Sequence, residues 1–279
     1  MVDHKSLLDP LIKLSDEAGN YILYKYQDSD SIHSTTKSDA SPLTSVDLAV
    51  HSMLQKGLSA ILEGVPVLSE ESPSSELSNR YDWERFWLID PLDGTREFLS
   101  KTGDFTVNIA LVERGRPVLG LVHLPLRRSC YVGIVGVGAW KFTNRDNYKS
   151  GFKIRMRPSS GSRIGVLSSR GNAGLVFDKY FNWLKVHCSQ VKLYRYGAAV
   201  KFAELLENEA DIYPRFSECS EWDIAAGDAL LHAAGGKLVG LDGLPIVYNV
   251  RDTLICQPFL AVRDFDLPLW LQSLEFLSS

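Results

Sequence analysis

The sequence predicts a protein of mixed α and β structure, with an α+β first half and an α/β second half. Residues 1–150 contain two amphipathic helical segments and then a series of apolar strand segments, whereas strand and helix segments alternate across residues 151–279. The 279 residues, 45% of them hydrophobic, can form a sizeable core. We place the boundary between the two units in the polar segment 145–160, which contains glycine and proline.

Two helices are predicted near the start of the chain. Asp9 and Pro10 are suited to a helix cap and first position, and apolar residues at helical spacing continue to about Tyr26. The second helix begins after Thr44, which is followed three residues later by Asp47, the pattern of a capping box. Its apolar face is formed by Val46, Ala49, Val50, Met53, Leu54, Leu58, Ile61 and Leu62.

The strands of the first half follow these helices. Val65–Leu68 predicts a short strand that stops at Ser69 and Glu70, and Arg85–Ile89 predicts a second strand after a polar loop. Short turns then separate four further strand segments, which predict an antiparallel meander. These segments are Phe105–Val112, Pro117–Leu124, Cys130–Val135 and Val137–Phe142.

The second half alternates between the two kinds of element. Strands are predicted at Arg163–Ser169, Lys192–Tyr196, Ala210–Tyr213 and Lys237–Leu241, and helices near Val176–His187, Ala199–Glu207 and Asp223–Ala234. Gly235 suits the left-handed position that ends the last of these helices. This alternation is the reason for the α/β assignment.

Composition restricts the class of partner and the compartment. The net charge of −4 and the scattered lysines and arginines give no basic stripe for nucleic acid, so we expect a small-molecule substrate. The four cysteines form no CxxC pair, and the polar N-terminus does not resemble a signal peptide, which favours the cytoplasm. The apolar stretches are too short for a membrane span, but peripheral contact with the inner face of the membrane stays open.

Acidic residues stand at several places where elements begin or end. Each has an ordinary interpretation as a helix cap, an exposed loop, a turn or the first turn of a helix. They are Asp47, Glu70 with Glu71, Asp90 with Asp93, and Asp223.

Considered together, these positions favour a shared site. Glu70 and Asp90 each follow an apolar strand and Asp223 opens an apolar helix, so their side chains are expected to converge at sheet ends. Two carboxylates about 4 Å apart repel by about 4 kcal/mol at an effective dielectric constant near 20, so such a group requires a counter-ion. Oxygen ligands favour a hard divalent cation, Mg²⁺ above all.

The residues after the strand Arg85–Ile89 suggest what the metal does. Pro91 stiffens the turn between Asp90 and Asp93, and Gly94 allows the backbone to approach a ligand. Thr95 opens a short predicted helix, whose N-terminal N–H groups attract phosphate. We therefore predict carboxylates that hold metal against a phosphate.

Three motifs in this order resemble the inositol monophosphatase superfamily of Mg²⁺-dependent, lithium-sensitive phosphatases: LSEES, WLIDPLDGTREF and EWDIAAGDALLHAAGG. The resemblance extends from about residue 41 to residue 243. SPLTSVDLAVHSML, VPVLSEES, GDFTVNIALV and ADIYPRF are most similar to the 3'(2'),5'-bisphosphate nucleotidases of the CysQ type. The resemblance implies a layered αβαβα sandwich and the conversion of adenosine 3',5'-bisphosphate to AMP and phosphate.

The resemblance also implies roles for individual residues. One Mg²⁺ would be held by Glu70, Asp90 and the carbonyl of Leu92, and a second by Asp90, Asp93 and Asp223; a third, weaker ion would lie near Glu70. Two to three ions are therefore expected. They would support direct in-line hydrolysis by an activated water, without a phosphoenzyme.

Catalysis and substrate binding are expected from further residues by the same resemblance. Asp47 would pair with the hydroxyl of Thr95 to orient and deprotonate the water, with Glu70 the other catalytic residue. The substrate would contact a set that includes some of the metal ligands: Leu92, Asp93, Gly94, Thr95, Gly197, Lys201, Arg215 and Asp223.

The chain departs from the nucleotidase pattern beside the expected nucleotide. Ala198 and Ala199 replace hydroxyl residues, and the segment 168–174 lacks a histidine. Lys201 and Arg215 suit a second phosphate, although both could instead be solvated basic residues.

The alternative functions are a broad inositol or sugar monophosphatase and a non-catalytic phosphate-binding regulatory protein. The sulfated precursor of the bisphosphate is a further candidate substrate.

Overall fold

A computed structural model describes residues 3–28, 34–36, 42–73, 78–144, 148, 150–171 and 174–278 of the chain. Within these ranges the helices are α1 (Leu8–Gln27), α2 (Ser45–Ile61), α3 (Thr95–Leu99), α4 (Gly174–His187), α5 (Val200–Leu206), α6 (Glu221–Ala234) and α7 (Pro268–Ser278). The strands are β1 (Ser34–Thr36), β2 (Pro42–Thr44), β3 (Val67–Ser69), β4 (Arg85–Asp93), β5 (Thr106–Glu113), β6 (Arg116–Leu124), β7 (Ser129–Ile134), β8 (Gly138–Thr143), β9 (Phe152–Lys153), β10 (Arg163–Ser168), β11 (Gln190–Arg195), β12 (Ile212–Arg215), β13 (Lys237–Gly240) and β14 (Phe259–Val262).

The first sheet has seven strands in the order β3-β4-β5-β6-β7-β8-β9. β3 pairs parallel with β4, and every later neighbour pairs antiparallel, so the predicted meander is confirmed. The central strands β5 and β6 are buried almost throughout, because helices cover both faces of this sheet.

The second sheet is mixed, with the order β11-β10-β12-β14-β13. β10 pairs parallel with both β11 and β12, as expected for strands joined by the crossover helices α4 and α5. β14 runs antiparallel to β12 and β13. β14 and α7 were not predicted from the sequence.

Three apolar clusters give the order of the layers. The outer face of the first sheet packs on α1 and α2. Its inner face and the inner face of the second sheet enclose α5 and α6. The outer face of the second sheet packs on α4 and α7. The expected layered αβαβα sandwich is therefore confirmed.

Some predictions concern segments that are only partly described. In the predicted boundary 145–160, residues 145–147 and 149 lie outside the described residues. In the remaining part of that segment, β9 pairs with β8 of the first sheet. The division of the chain at residue 150 stays a prediction. Among the described helices, none combines the length and the apolar character needed to span a bilayer.

Candidate active site

A cleft of about 450 Å³ opens where the end of β4, the start of α3, α5, β12 and the start of α6 meet. Its lining contains every residue predicted for the site except Asp47. These lining residues are Glu70, Asp90, Leu92, Asp93, Gly94, Thr95, Gly197, Lys201, Arg215 and Asp223. Residues up to about 150 positions apart in the chain are thus brought together, as the sequence predicted.

Three carboxylates converge at the floor of the cleft. One oxygen from each of Asp90, Asp93 and Asp223 lies within 4.8 Å of the others. Asp223 reaches this point because it is the third residue of α6, where its Oδ2 accepts a hydrogen bond from the N–H of the N-cap residue Ser220 at 2.9 Å. Glu70 lines the same cleft but lies outside this group of three.

The geometry around Pro91 corrects the sequence analysis. We predicted that the strand ends at Ile89 and that a turn follows, but β4 continues to Asp93. Its pairing with β5 is irregular between Asp90 and Asp93, since Asp90 pairs with Asn108 and Asp93 with Thr106. A bulge is compatible with Pro91, which has no N–H to contribute to the ladder. The irregularity allows both carboxylates to reach the cleft.

Two polar residues of β5 support Asp93, and the sequence analysis missed both. Asn108 Nδ2 donates to Asp93 Oδ2 at 3.0 Å, and Thr106 Oγ1 donates to Asn108 Oδ1 at 2.9 Å. Both side chains are fully buried. Their signal was present in the sequence, because they occupy alternate positions of an otherwise apolar strand and so share one face.

In the absence of a cation, the surroundings of the three carboxylates shift each of them toward its protonated form. Burial raises the pKa of Asp90 well above its usual range, and repulsion from Glu70 and then Asp93 adds to the effect. Burial likewise raises the pKa of Asp93 to about 6. It also raises that of Asp223 well above the usual range, with Asp93 the next cause. The cluster is therefore an electrostatically strained group that a cation would relieve.

Asp47 lies behind the cleft and contacts it through Thr95. Thr44 caps α2, and its N–H donates to Asp47 Oδ2 at 2.8 Å, so the predicted capping box is present. Thr95 Oγ1 lies 3.1 Å from both Asp47 Oδ1 and Leu92 O. Since a hydroxyl carries one proton, it donates to one of these oxygens at a time. Burial raises the pKa of Asp47, and hydrogen bonds from Thr44 and Thr95 oppose this.

Gly94 is required by the backbone at the entrance to α3. Its φ is +89°, and a Cβ at this position would lie 2.6 Å from the carbonyl oxygen of Asp104. A side chain is thus excluded both by conformation and by space. The short helix predicted at Thr95 is confirmed as α3.

Two cations, Lys201 and Arg215, line the same cleft. Lys201 is buried, which lowers its pKa to about 8, while the charge of Asp93 opposes that shift. Its Nζ donates to Ala198 O at 2.6 Å. Arg215 donates from Nη1 to Ser169 Oγ and from Nη2 to Glu218 O, each at 2.7 Å. The alternative of a solvated Lys201 is therefore wrong.

Gly197 has a structural role that the sequence analysis did not anticipate. Its N–H donates to Asp104 Oδ2 at 2.8 Å, and Arg170 Nε donates to the same oxygen at 2.6 Å. A Cβ on Gly197 would lie 2.7 Å from Glu97 Cγ. Because its N–H is donated to Asp104, any substrate contact of Gly197 comes from another atom.

The comparisons assign the class of protein. The chain matches the profile of the inositol monophosphatase family over residues 3–264, and it belongs to this family. It is a phosphatase, with the αβαβα fold and the acidic cleft described above.

Particular relatives are nucleotidases by name. The chain is 35% identical over 249 residues to the 3'(2'),5'-bisphosphate nucleotidase CysQ of Escherichia coli K12, covering 89% of this chain and 96% of that protein. It is also 35% identical over 246 residues to CysQ of Buchnera aphidicola, covering 88% and 89%. The crystal structure of CysQ from Bacteroides thetaiotaomicron superposes with a TM-score of 0.76 at 30% identity, covering 91% of this chain and 96% of that one.

Proposed function

We propose that this protein is a Mg²⁺-dependent 3'(2'),5'-bisphosphate nucleotidase that converts adenosine 3',5'-bisphosphate to AMP and phosphate. One observation carries the proposal: Asp90, Asp93 and Asp223 converge in a cleft that Lys201 and Arg215 also line. Carboxylates suit a metal that contacts the phosphate to be removed, and the cations suit a second phosphate. The identity to nucleotidases of the CysQ type supports the same substrate.

The chemistry of the donors fits a hard divalent cation. The three converging groups are carboxylates, and burial raises the pKa of each, with repulsion from neighbouring carboxylates, including Glu70, adding to the effect. We propose Glu70, Asp90, Asp93, Asp223 and the carbonyl of Leu92 as the ligands of two to three Mg²⁺ ions. When bound, Mg²⁺ supplies Lewis-acid chemistry, activating water and offsetting negative charge on phosphate oxygens.

The protein supplies the base. With Thr95 Oγ1 donating to Asp47 Oδ1, the lone pairs of Thr95 are available to accept a proton from the attacking water. The proton passes to Thr95 Oγ1 as the hydroxyl proton of Thr95 passes to Asp47 Oδ1. The raised pKa of Asp47 makes it a stronger base than an exposed aspartate. Glu70, in the same cleft, is the second proposed catalytic carboxylate.

Substrate contacts follow from the two sets of charged groups that line the cleft. The scissile phosphate is proposed to lie against Leu92–Thr95 and Asp223, and the second phosphate against Lys201 and Arg215. Gly197 completes this surface as a packing residue next to Asp104. The sulfated precursor carries the same 3'-phosphate and is a second candidate substrate. Because all four cysteines are free, we place the enzyme in a reducing compartment, the cytoplasm.

A phosphate-release panel tests the proposal. The purified enzyme is assayed with Mg²⁺ on adenosine 3',5'-bisphosphate, its sulfated precursor, AMP and inositol 1-phosphate, each with and without Li⁺. We expect the bisphosphate to give the highest kcat/KM, with dependence on Mg²⁺ and inhibition by Li⁺. Comparable rates on inositol 1-phosphate would instead favour a broad monophosphatase. Absence of turnover on the whole panel would favour a phosphate-binding regulatory protein.

A further inference from the structure

Cys219 and Cys256 face each other across a short antiparallel contact beside the cleft. Ser220 and Ile255 form an antiparallel bridge, so the residues flanking them, Cys219 and Cys256, are opposite each other in the same register. The N–H of Cys256 donates to the carbonyl of Cys219 at 2.7 Å. Directly opposed residues in such a pair have Cα atoms about 5.5 Å apart, within the range of about 4.4–6.8 Å that disulfides adopt.

The side chains of this pair are also in contact. The Cys256 thiol hydrogen-bonds to Cys219, which lowers the pKa of Cys219 and raises that of Cys256. Cys219 lines the cleft and is partly exposed, whereas Cys256 is buried behind it. An oxidant entering the cleft therefore meets Cys219 first.

The other two cysteines have different surroundings. Cys130 is buried between the first sheet and α1, where its sulfur contacts Ser15 Oγ at 3.8 Å. Cys188 is buried in the cluster on the outer face of the second sheet. The four cysteines thus comprise one facing pair and two separate thiols.

We propose that Cys219 and Cys256 form a reversible disulfide in response to peroxide, and that this modification lowers turnover in the adjacent cleft. The effect on turnover rests on the proposed function; formation of the disulfide does not.

The chemistry balances with hydrogen peroxide as the oxidant. The Cys219 thiol reacts with one peroxide to give a sulfenic acid and water. The Cys256 thiol then attacks that sulfur, forming the S–S bond and releasing a second water. A dithiol such as dithiothreitol reverses the reaction by thiol–disulfide exchange and is itself oxidised.

The location of Cys219 explains why turnover falls. Cys219 precedes Ser220, the N-cap of α6, whose N–H holds Asp223 Oδ2 at 2.9 Å. Closing the bond draws the two sulfurs from contact to a covalent distance of about 2.05 Å, and the adjoining Ser220 cap must adjust to this movement. A misplacement of about 1 Å in a positioned group can lower a rate about 10²-fold.

Peroxide treatment followed by mass analysis and kinetics tests the proposal. The reduced enzyme is exposed to hydrogen peroxide, alkylated, and examined by intact mass and peptide mapping, and its phosphate release from adenosine 3',5'-bisphosphate is measured. We expect a loss of two hydrogen atoms, a linked Cys219–Cys256 peptide, and a fall in kcat of up to about 10²-fold that dithiothreitol restores.

Two variants distinguish oxidation of Cys219 and Cys256 from oxidation elsewhere in the protein. Cys256→Ser places a hydroxyl at a buried position outside the cleft, so the reduced variant should retain its activity. Because this variant cannot form the disulfide, peroxide should no longer lower its turnover. Cys188→Ser, the matched control, should respond like the wild type. Absence of the linked peptide, or a linked enzyme with unchanged kcat, would overturn the proposal. If the wild type hydrolyses none of the panel, the proposed function fails, whereas peptide mapping still decides whether the bond forms.

Discussion

Asp93→Asn should make the metal-free protein more stable while abolishing its activity. The substitution removes one charge from the cluster of Asp90, Asp93 and Asp223 with almost no change in volume. It also retains an oxygen that can accept the hydrogen bond from Asn108 Nδ2. The variant therefore isolates the electrostatic cost of the site from its packing.

The pKa of Asp93 sets the size of this effect. Burial raises that pKa from 3.8 to about 6, so between these pH values the folded protein holds a proton that the unfolded chain has lost. Stability therefore falls as the pH rises from 3.8 to about 6, and the full cost, about 3 kcal/mol, is present above that range. Asp93 is partly exposed at the cleft, so this figure is an upper limit. Repulsion between two carboxylate oxygens at 4.8 Å, the outer limit of their separations, gives a similar value of about 3.5 kcal/mol at a dielectric constant of 20.

Thermal unfolding in EDTA measures this gain. For a chain of this size about 3 kcal/mol corresponds to a Tm about 5 °C higher at pH 7.5, and about half that gain is expected at pH 5. Mg²⁺ should raise the Tm of the wild type but not that of the variant, whose phosphate release should be lost. Glu63→Gln, an exposed site away from the cleft, should change neither property. A metal-free variant less stable than the wild type, or one that keeps its turnover, would refute the electrostatic reasoning.

Three further predictions concern other parts of the site and the core. Lys201→Ala and Arg215→Ala should each raise the KM for the bisphosphate by about 10- to 100-fold, because each removes a charged hydrogen-bond donor. The KM for a monophosphate should rise much less. Equal losses on both substrates would contradict the assignment of these residues to the second phosphate. Asp47→Asn should lower kcat by about 10²- to 10⁴-fold, because Asp47 accepts the proton relayed from the water by Thr95. Calorimetry should show unchanged Mg²⁺ affinity, since Asp47 is not proposed as a metal ligand. Loss of metal binding would assign Asp47 a different role. Burial lowers the pKa of His123 to about 3, so protonation of the unfolded chain below pH 6.5 should reduce stability by about 2 kcal/mol between pH 7 and 5. Urea unfolding of His123→Asn should lack this component, and an identical pH dependence in both proteins would show that His123 does not cause it.

The sequence was sufficient to predict where the carboxylates meet. An apolar run that ends in Asp90 and a helix that begins near Asp223 indicate element ends, and element ends meet at the edges of a layered fold. The turn around Pro91 could not be distinguished from a bulged strand, because proline is compatible with both. The bulge depends on pairing with β5, which is a tertiary property.

Other features could not be predicted from the sequence, each for a different physical reason. β14 has four residues, too few for a periodic pattern to distinguish it from a loop. The bond from Arg170 to Asp104 joins residues 66 positions apart in two loops, and no spacing rule applies to loops. The burial of Lys201 depends on α5 being enclosed between the two sheets. The sequence thus identifies the charged residues of the cleft better than the groups that orient their side chains.

Anomalous scattering from crystals grown with Mn²⁺ would locate the metal in this cleft directly, since Mn²⁺ takes the same oxygen ligands as Mg²⁺. We expect at least one strong peak bounded by the carboxylates of Asp90, Asp93 and Asp223, which disappears in Asp93→Asn crystals. Well-diffracting wild-type crystals with no peak at these carboxylates would contradict the proposed metal site.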